Sequence, residues 1–260
     1  MLRIFFVCLA LVQVLFAARP MNTDDARVVA QKSCQIESWS KFSEFGKGAE
    51  FWALPACNLF FDTEITIGAN MLWQDSLDSA ESRRKDGMQF SLKKVFMDLD
   101  TEGFSYGVAL GHLRTKNFLR DSNALYGYAL ISKAWLENRL FLHTNLGAKF
   151  LRLDSASFAD TSAFANSQQK SAQLYNLGVG MEYDANEYLW FMGEVFYEDY
   201  MGRAQGLART PMLYQLGVRI WLARDRLQID CTYGNDFYTP FNRNNAFVSV
   251  GVRILSEELF

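Results

Sequence analysis

The sequence predicts an all-β fold: a transmembrane antiparallel up-and-down β-barrel of about ten strands, behind an N-terminal signal peptide and an irregular leader. Three observations carry this reading. Alternation of apolar and polar residues with period 2 runs from Asn58 to Leu255, the mark of strands with one apolar face. Short and long connections alternate along that region without a miss. After the first eighteen residues, no apolar run is long enough to cross a membrane as a helix.

Composition narrows the field. Half of the 260 residues are hydrophobic and the net charge is −3, which argues against disorder and against a basic nucleic-acid-binding surface. Four prolines leave room for long uninterrupted strands.

In chain order, residues 1–18, "MLRIFFVCLALVQVLFAA", read as a secretory signal peptide. Arg3 supplies the charged start, Ile4–Phe16 the apolar core and Ala17–Ala18 the small-residue exit. An uncleaved anchor is the alternative, but the run is short for a spanning helix. Cys8 leaves with this peptide. Residues 19–57 show no strand alternation and read as a leader, periplasmic or lodged in the lumen as a plug. Cys34 and Cys57 lie within it and are candidates for a disulfide in an oxidising compartment. Cys231, on an apolar strand face, reads as a small hydrophobe.

Residues 58–260 form the expected barrel. The first strand sets Ile65, Ile67, Ala69 and Met71 against Asp62, Glu64, Thr66 and Gly68. The second changes phase at Lys93–Lys94, which suggests a bulge. Further strands begin near Phe104, Leu125, Leu140, Tyr175, Leu189, Leu213 and Leu227. The last, "AFVSVGVRIL", sets Val248, Val250, Val252 and Ile254 against Ser249, Gly251 and Arg253.

"DTEG", "LENR", "DANE" and "ARD" are the short turns, and the other connections are long and polar. That asymmetry belongs to an outer-membrane barrel with short periplasmic turns, both termini periplasmic and long outer loops. A soluble lipocalin-type barrel is the alternative. The outward valines then face lipid, and Phe104, Tyr126, Tyr183, Tyr188, Tyr197, Tyr214 and Tyr233 are expected in the interfacial girdles. Partners follow from the location: outer-membrane lipid, lipopolysaccharide (which the charged run "ESRRKD" could meet) and the barrel-assembly machinery, with no nucleic acid. The sequence leaves the oligomeric state open.

The expected lumen charges are Asp62, Glu64, Lys149, Glu182, Glu194, Arg219, Asp230 and Arg253. They read either as an internal salt-bridge network or as a charged constriction in a narrow pore. Counting from the turns sets Arg219 level with Asp230. Closing the last strand on the first would bring Arg253 to Asp62 and Glu64. His143 falls inward beside Asn145 in a structural role, and His112 outward near Phe90 and Tyr126. No nucleophile–His–carboxylate set and no metal-ligand spacing emerges, so no enzyme, metal or cofactor is expected.

The C-terminal Phe260 resembles the terminal aromatic of many bacterial outer-membrane barrels, although "SEEL" interrupts the alternation before it. The segments "DDARVVAQKSCQIESW", "FWALPAC", "LHTNLG", "YGNDF" and "VSVGVRIL" resemble an uncharacterised group of proteobacterial outer-membrane proteins. That resemblance implies fold and location and brings no activity or site residues. Three functions stay open: a narrow porin-like or structural barrel, a surface-interaction barrel acting through its long outer loops, and an outer-membrane hydrolase.

Overall fold

A strand with one apolar face must bury that face or give it to lipid, and both of its backbone edges need partners. Closing the sheet on itself removes every edge. The computed structural model describes residues 21–43, 48–75, 82–117, 122–153, 171–200, 212–237 and 246–256. The signal peptide, Phe260 and most of the long-loop residues lie outside these.

Twelve antiparallel strands form one closed barrel. They are β1 (Ser33–Ser43), β2 (Gly48–Phe60), β3 (Thr63–Asp75), β4 (Ser82–Val95), β5 (Phe104–Asn117) and β6 (Ser122–Trp135), then β7 (Leu140–Leu153), β8 (Ser171–Asn186), β9 (Leu189–Tyr200), β10 (Leu213–Ala223), β11 (Leu227–Asp236) and β12 (Phe247–Leu255). Each pairs with its sequence neighbours, and β12 closes on β1 with Arg253 opposite Glu37.

The count corrects the expectation of ten. Residues 33–57, taken for leader, form β1 and most of β2, and the Cys34–Cys57 disulfide joins facing residues of that hairpin. It lies in the barrel wall. The pattern hid these strands because β1 turns Ser38 and Ser40 outward and Trp39 inward, while β2 is apolar on both faces from Phe51 to Cys57. Arg253 is accordingly not on a strand beside Asp62 and Glu64, since β1 and β2 stand between them.

Two further expectations change. β4 pairs with both neighbours without a register shift, so the phase change at Lys93–Lys94 marks the end of the strand, not a bulge. The strands also run on into segments read as loops: Ser82–Gly87 belongs to β4 and Arg114–Asn117 to β5.

The short turns gather at one end. Phe61 and Asp62 make the β2–β3 turn with φ of 54° and 48°, the left-handed pair a two-residue hairpin turn demands. "DTEG" is a single helical turn, α1 (Leu99–Glu102), capped by the Asp98 side chain and by Gly103 at φ 63°. Leu99 there packs on Ala134 and Phe141, closing a small apolar cluster at this rim.

Outside, Ile67, Leu110, Leu146, Leu216 and Ile254 are each about half exposed or more, on strands all round the barrel. A continuous apolar belt of this kind is matched by hydrocarbon. Inside, the buried side chains are largely polar: Gln35, Ser105, Ser132, Gln215, Gln228, Asp230 and Ser249. Lipid on the outside and hydrogen bonds on the inside take the place of a conventional core.

Candidate functional site

The lumen is occupied by the chain's own N-terminal segment, residues 21–32, which runs inside the wall toward β1. Its sequence "MNTDDARVVAQK" has no alternation and no helical stripe, and its backbone groups are met by wall side chains. The Glu194 carboxylate accepts the Asn22 N–H at 2.8 Å and the Thr23 N–H at 2.7 Å. Asn145, with its amide oriented to suit both partners, accepts the Asp24 N–H at 2.6 Å and donates to the Asp24 carbonyl at 2.7 Å.

At Ala26, the N–H donates to Ser132 Oγ at 2.8 Å and the carbonyl accepts from Ser105 Oγ at 2.7 Å. At Val29, the N–H reaches Glu64 at 3.3 Å and the carbonyl accepts from Asn58 Nδ2 at 2.8 Å. Ala26 is fully buried against Ala109 and Leu130.

Charge fixes the segment as well. Lys93 Nζ lies 2.8 Å from Asp24 and 3.1 Å from Asp25. Arg27 stacks over the Phe141 ring at 4.3 Å and faces Glu182 at 3.7 Å. β8 supplies the room. Gly178 and Gly180 are consecutive inward positions, and a Cβ at Gly178 would stand 2.5 Å from Thr23 Oγ1, one at Gly180 2.9 Å from Met21 Cε. Two wall positions without side chains make the hollow that holds Met21 and Thr23.

Around the segment the wall charges are tied to one another. Arg219 grips Asp230 with two nitrogens, at 3.0 and 3.1 Å, and reaches Glu182 at 2.7 Å. Gln228 donates to Asp230 and Gln215 to Glu194. Arg253 donates to Gln35 at 2.6 Å, Gln35 to Glu64 at 3.0 Å, and Arg253 lies 3.6 Å from Glu37. Toward the long-loop end Lys149 meets Glu198 at 2.6 Å, and Trp39 stacks on Trp52.

Of the eight expected lumen charges, Glu64, Lys149, Glu182, Glu194, Arg219, Asp230 and Arg253 point inward. Asp62 does not: it sits exposed in the β2–β3 turn. The sequence reading missed Lys93 and Glu37, and with them the segment's own Asp24, Asp25 and Arg27. One signal was available. Two successive inward glycines in "LGVG" (177–180) call for something to pack against them.

His143 Nδ1 shares a hydrogen bond with Ser132 Oγ, 2.7 Å away, and its Nε2 faces Glu182 at 3.7 Å. The order Ser–His–carboxylate is thus present on β6, β7 and β8, which sequence spacing did not show. Ser132 is wholly buried, and its hydroxyl already holds the Ala26 N–H. His112 is outward beside Phe90 and Leu125. Tyr126 is inward and stacks with Tyr128 instead of joining a girdle.

Between segment and wall remains a cavity of about 30 Å³, lined among others by Arg27, Glu37, Glu182, Arg219 and Arg253. It has room for a water or two. Below the segment, pockets of about 450 and 390 Å³ open at the short-turn end, both lined by Arg27–Ala30.

A family model described as "Uncharacterised conserved protein UCP029691" matches residues 7–255. No curated protein matches the chain. Among solved structures, a KdgM porin in complex with disordered oligogalacturonate aligns at TM-score 0.52 and 12% identity, over 85% of this chain and 98% of that one. The NanC porin aligns at TM-score 0.57 and 7% identity, again over 85% and 98%. Both are similar to this chain in fold.

Proposed function

We propose that this chain, which belongs to that family of conserved proteins, is a porin-like outer-membrane β-barrel whose narrow, mixed-charge lumen is closed by its own N-terminal segment. The short-turn end then faces the periplasm and the long loops face out, with a cleaved signal peptide delivering the chain. The carrying observation is the seat of residues 21–32: wall side chains meet their backbone groups, and the cavity left between segment and wall among the described residues is about 30 Å³. The apolar belt supports a lipid environment, and the likeness in fold to porins supports a barrel of that shape.

The wall charges act first as a satisfied network and, once the segment moves, as the lining of a constriction. Planar-bilayer recording tests this. The wild-type protein should be mostly silent, with rare openings, and variants that unseat the segment should conduct. A wild type that conducts steadily with the segment shown to be seated would overturn it.

A hydrolase remains the second reading because of Ser132, His143 and Glu182. Burial of Ser132 beneath Ala26 argues against it, and no substrate carbonyl can approach while the segment is in place. A fluorophosphonate probe should leave Ser132 unlabelled.

A further inference from the structure

The segment is held through its main chain as well as through its side chains. Three wall stations each take both the N–H and the carbonyl of one residue: Asn145 at Asp24, Ser132 with Ser105 at Ala26, and Glu64 with Asn58 at Val29. Glu194 takes two further N–H groups. Side chains are selected at few places. Ala26 must be small, since it has no exposed surface, Asp24 and Asp25 face Lys93, and Arg27 lies over Phe141 and faces Glu182. Thr23 Oγ1, by contrast, is buried without a hydrogen-bond partner. Main-chain hydrogen bonds supply affinity that tolerates sequence change, as when an extended peptide adds to a sheet edge.

We infer that the periplasmic half of the lumen is a binding track for extended polypeptide, occupied here in cis by residues 21–32. When that segment leaves, the track takes a second peptide in trans: one with a small residue at the Ser105–Ser132 station, an acidic residue opposite Lys93 and a basic residue at Phe141 and Glu182. This rests on reading the segment as a displaceable plug. The open pockets beneath Arg27–Ala30 place the entrance on the periplasmic side.

Two full-length variants expose the track without altering a strand. Ala26→Trp cannot fit between Ala109 and Leu130, and Asp24→Lys with Asp25→Lys turns the attraction to Lys93 into repulsion. The probe is the synthetic peptide MNTDDARVVAQ, residues 21–31, dye-labelled for anisotropy in detergent and unlabelled for current block in bilayers. A second peptide carries N-methyl-alanine at the Ala26 position, removing the one N–H that Ser132 accepts. A third keeps the backbone but replaces Met21, Val28 and Gln31 by Leu, Thr and Ser.

The first and third peptides should bind either variant similarly, and the N-methyl peptide about tenfold more weakly, the loss of one buried backbone hydrogen bond. Absence of binding to both folded variants at millimolar peptide overturns the inference, as does equal binding of the N-methyl peptide. Binding without any conductance in the peptide-free variants overturns the porin reading and leaves the track standing. Conductance that no peptide blocks does the reverse.

Discussion

Replacing Gly178 by Val places a side chain in the hollow where Thr23 sits. The Cβ alone would lie 2.5 Å from Thr23 Oγ1 and 3.3 Å from Thr23 Cβ, and Thr23 is buried, so the segment has to shift. Overpacking of this kind costs about 1–3 kcal/mol. The strand itself is not weakened: valine suits a β-strand, and an interior glycine there costs about 0.5–1 kcal/mol. The cost falls on docking, which should move the seated–unseated equilibrium about 5- to 150-fold toward unseated.

Two assays read this independently: open probability in a planar bilayer, and the rate of tryptic cleavage after Arg27, which follows the unseated population when reseating is fast. Both should rise. Adding Thr23→Gly moves the displaced volume back, and because Thr23 Oγ1 has no hydrogen-bond partner the removal loses packing alone. The double variant should recover most of the protection. If Gly178→Val leaves both assays unchanged, or if Thr23→Gly does not rescue it, the glycines are not the seat and the reasoning fails.

Other perturbations separate wall from plug. Reductant, or Cys34→Ser with Cys57→Ser, should not open the channel, because the disulfide joins β1 to β2 and the wall groups that bond residues 22–29 belong to other side chains; trypsin accessibility of Arg27 should stay at the wild-type rate. Arg219→Met strips the cation from Glu182 and from the fully buried Asp230, and should lower stability to urea in vesicles by about 3–5 kcal/mol. Leu146→Arg, mid-strand on the outward face, should cost about 2–4 kcal/mol in the same measurement. A water-facing leucine would tolerate that change within about 0.5 kcal/mol, so a neutral result would deny the lipid belt.

The strands β3–β12 were legible because each carries its own evidence. In "FVSVGVRIL" the valines and Ile254 leave by one face and Ser249 and Arg253 by the other, and no distant residue is needed to see it. The pairing of Arg219 with Asp230 was equally local, since both are counted from one tight turn. The Ser132–His143–Glu182 cluster was not, because its three residues meet only when β6, β7 and β8 lie side by side.

Alternation is a property of neighbouring residues, so the amino-acid sequence by itself determined that this is a barrel, which faces of β3–β12 look out and most of the charges that look in. Its short connections likewise determined which strand ends share a tight turn. Closure is a property of the whole sheet. Only the tertiary structure decided that "SCQIESWSKFS" and "GAEFWALPACNLF" complete the wall, because their inward Trp39 and outward Pro55 and serines are acceptable only beside β12 and β3. Nor does residue 21–32 carry any pattern of its own. It is ordered by carboxylates, amides and hydroxyls drawn from six strands, each of which finds its backbone partner only after the barrel has closed around it.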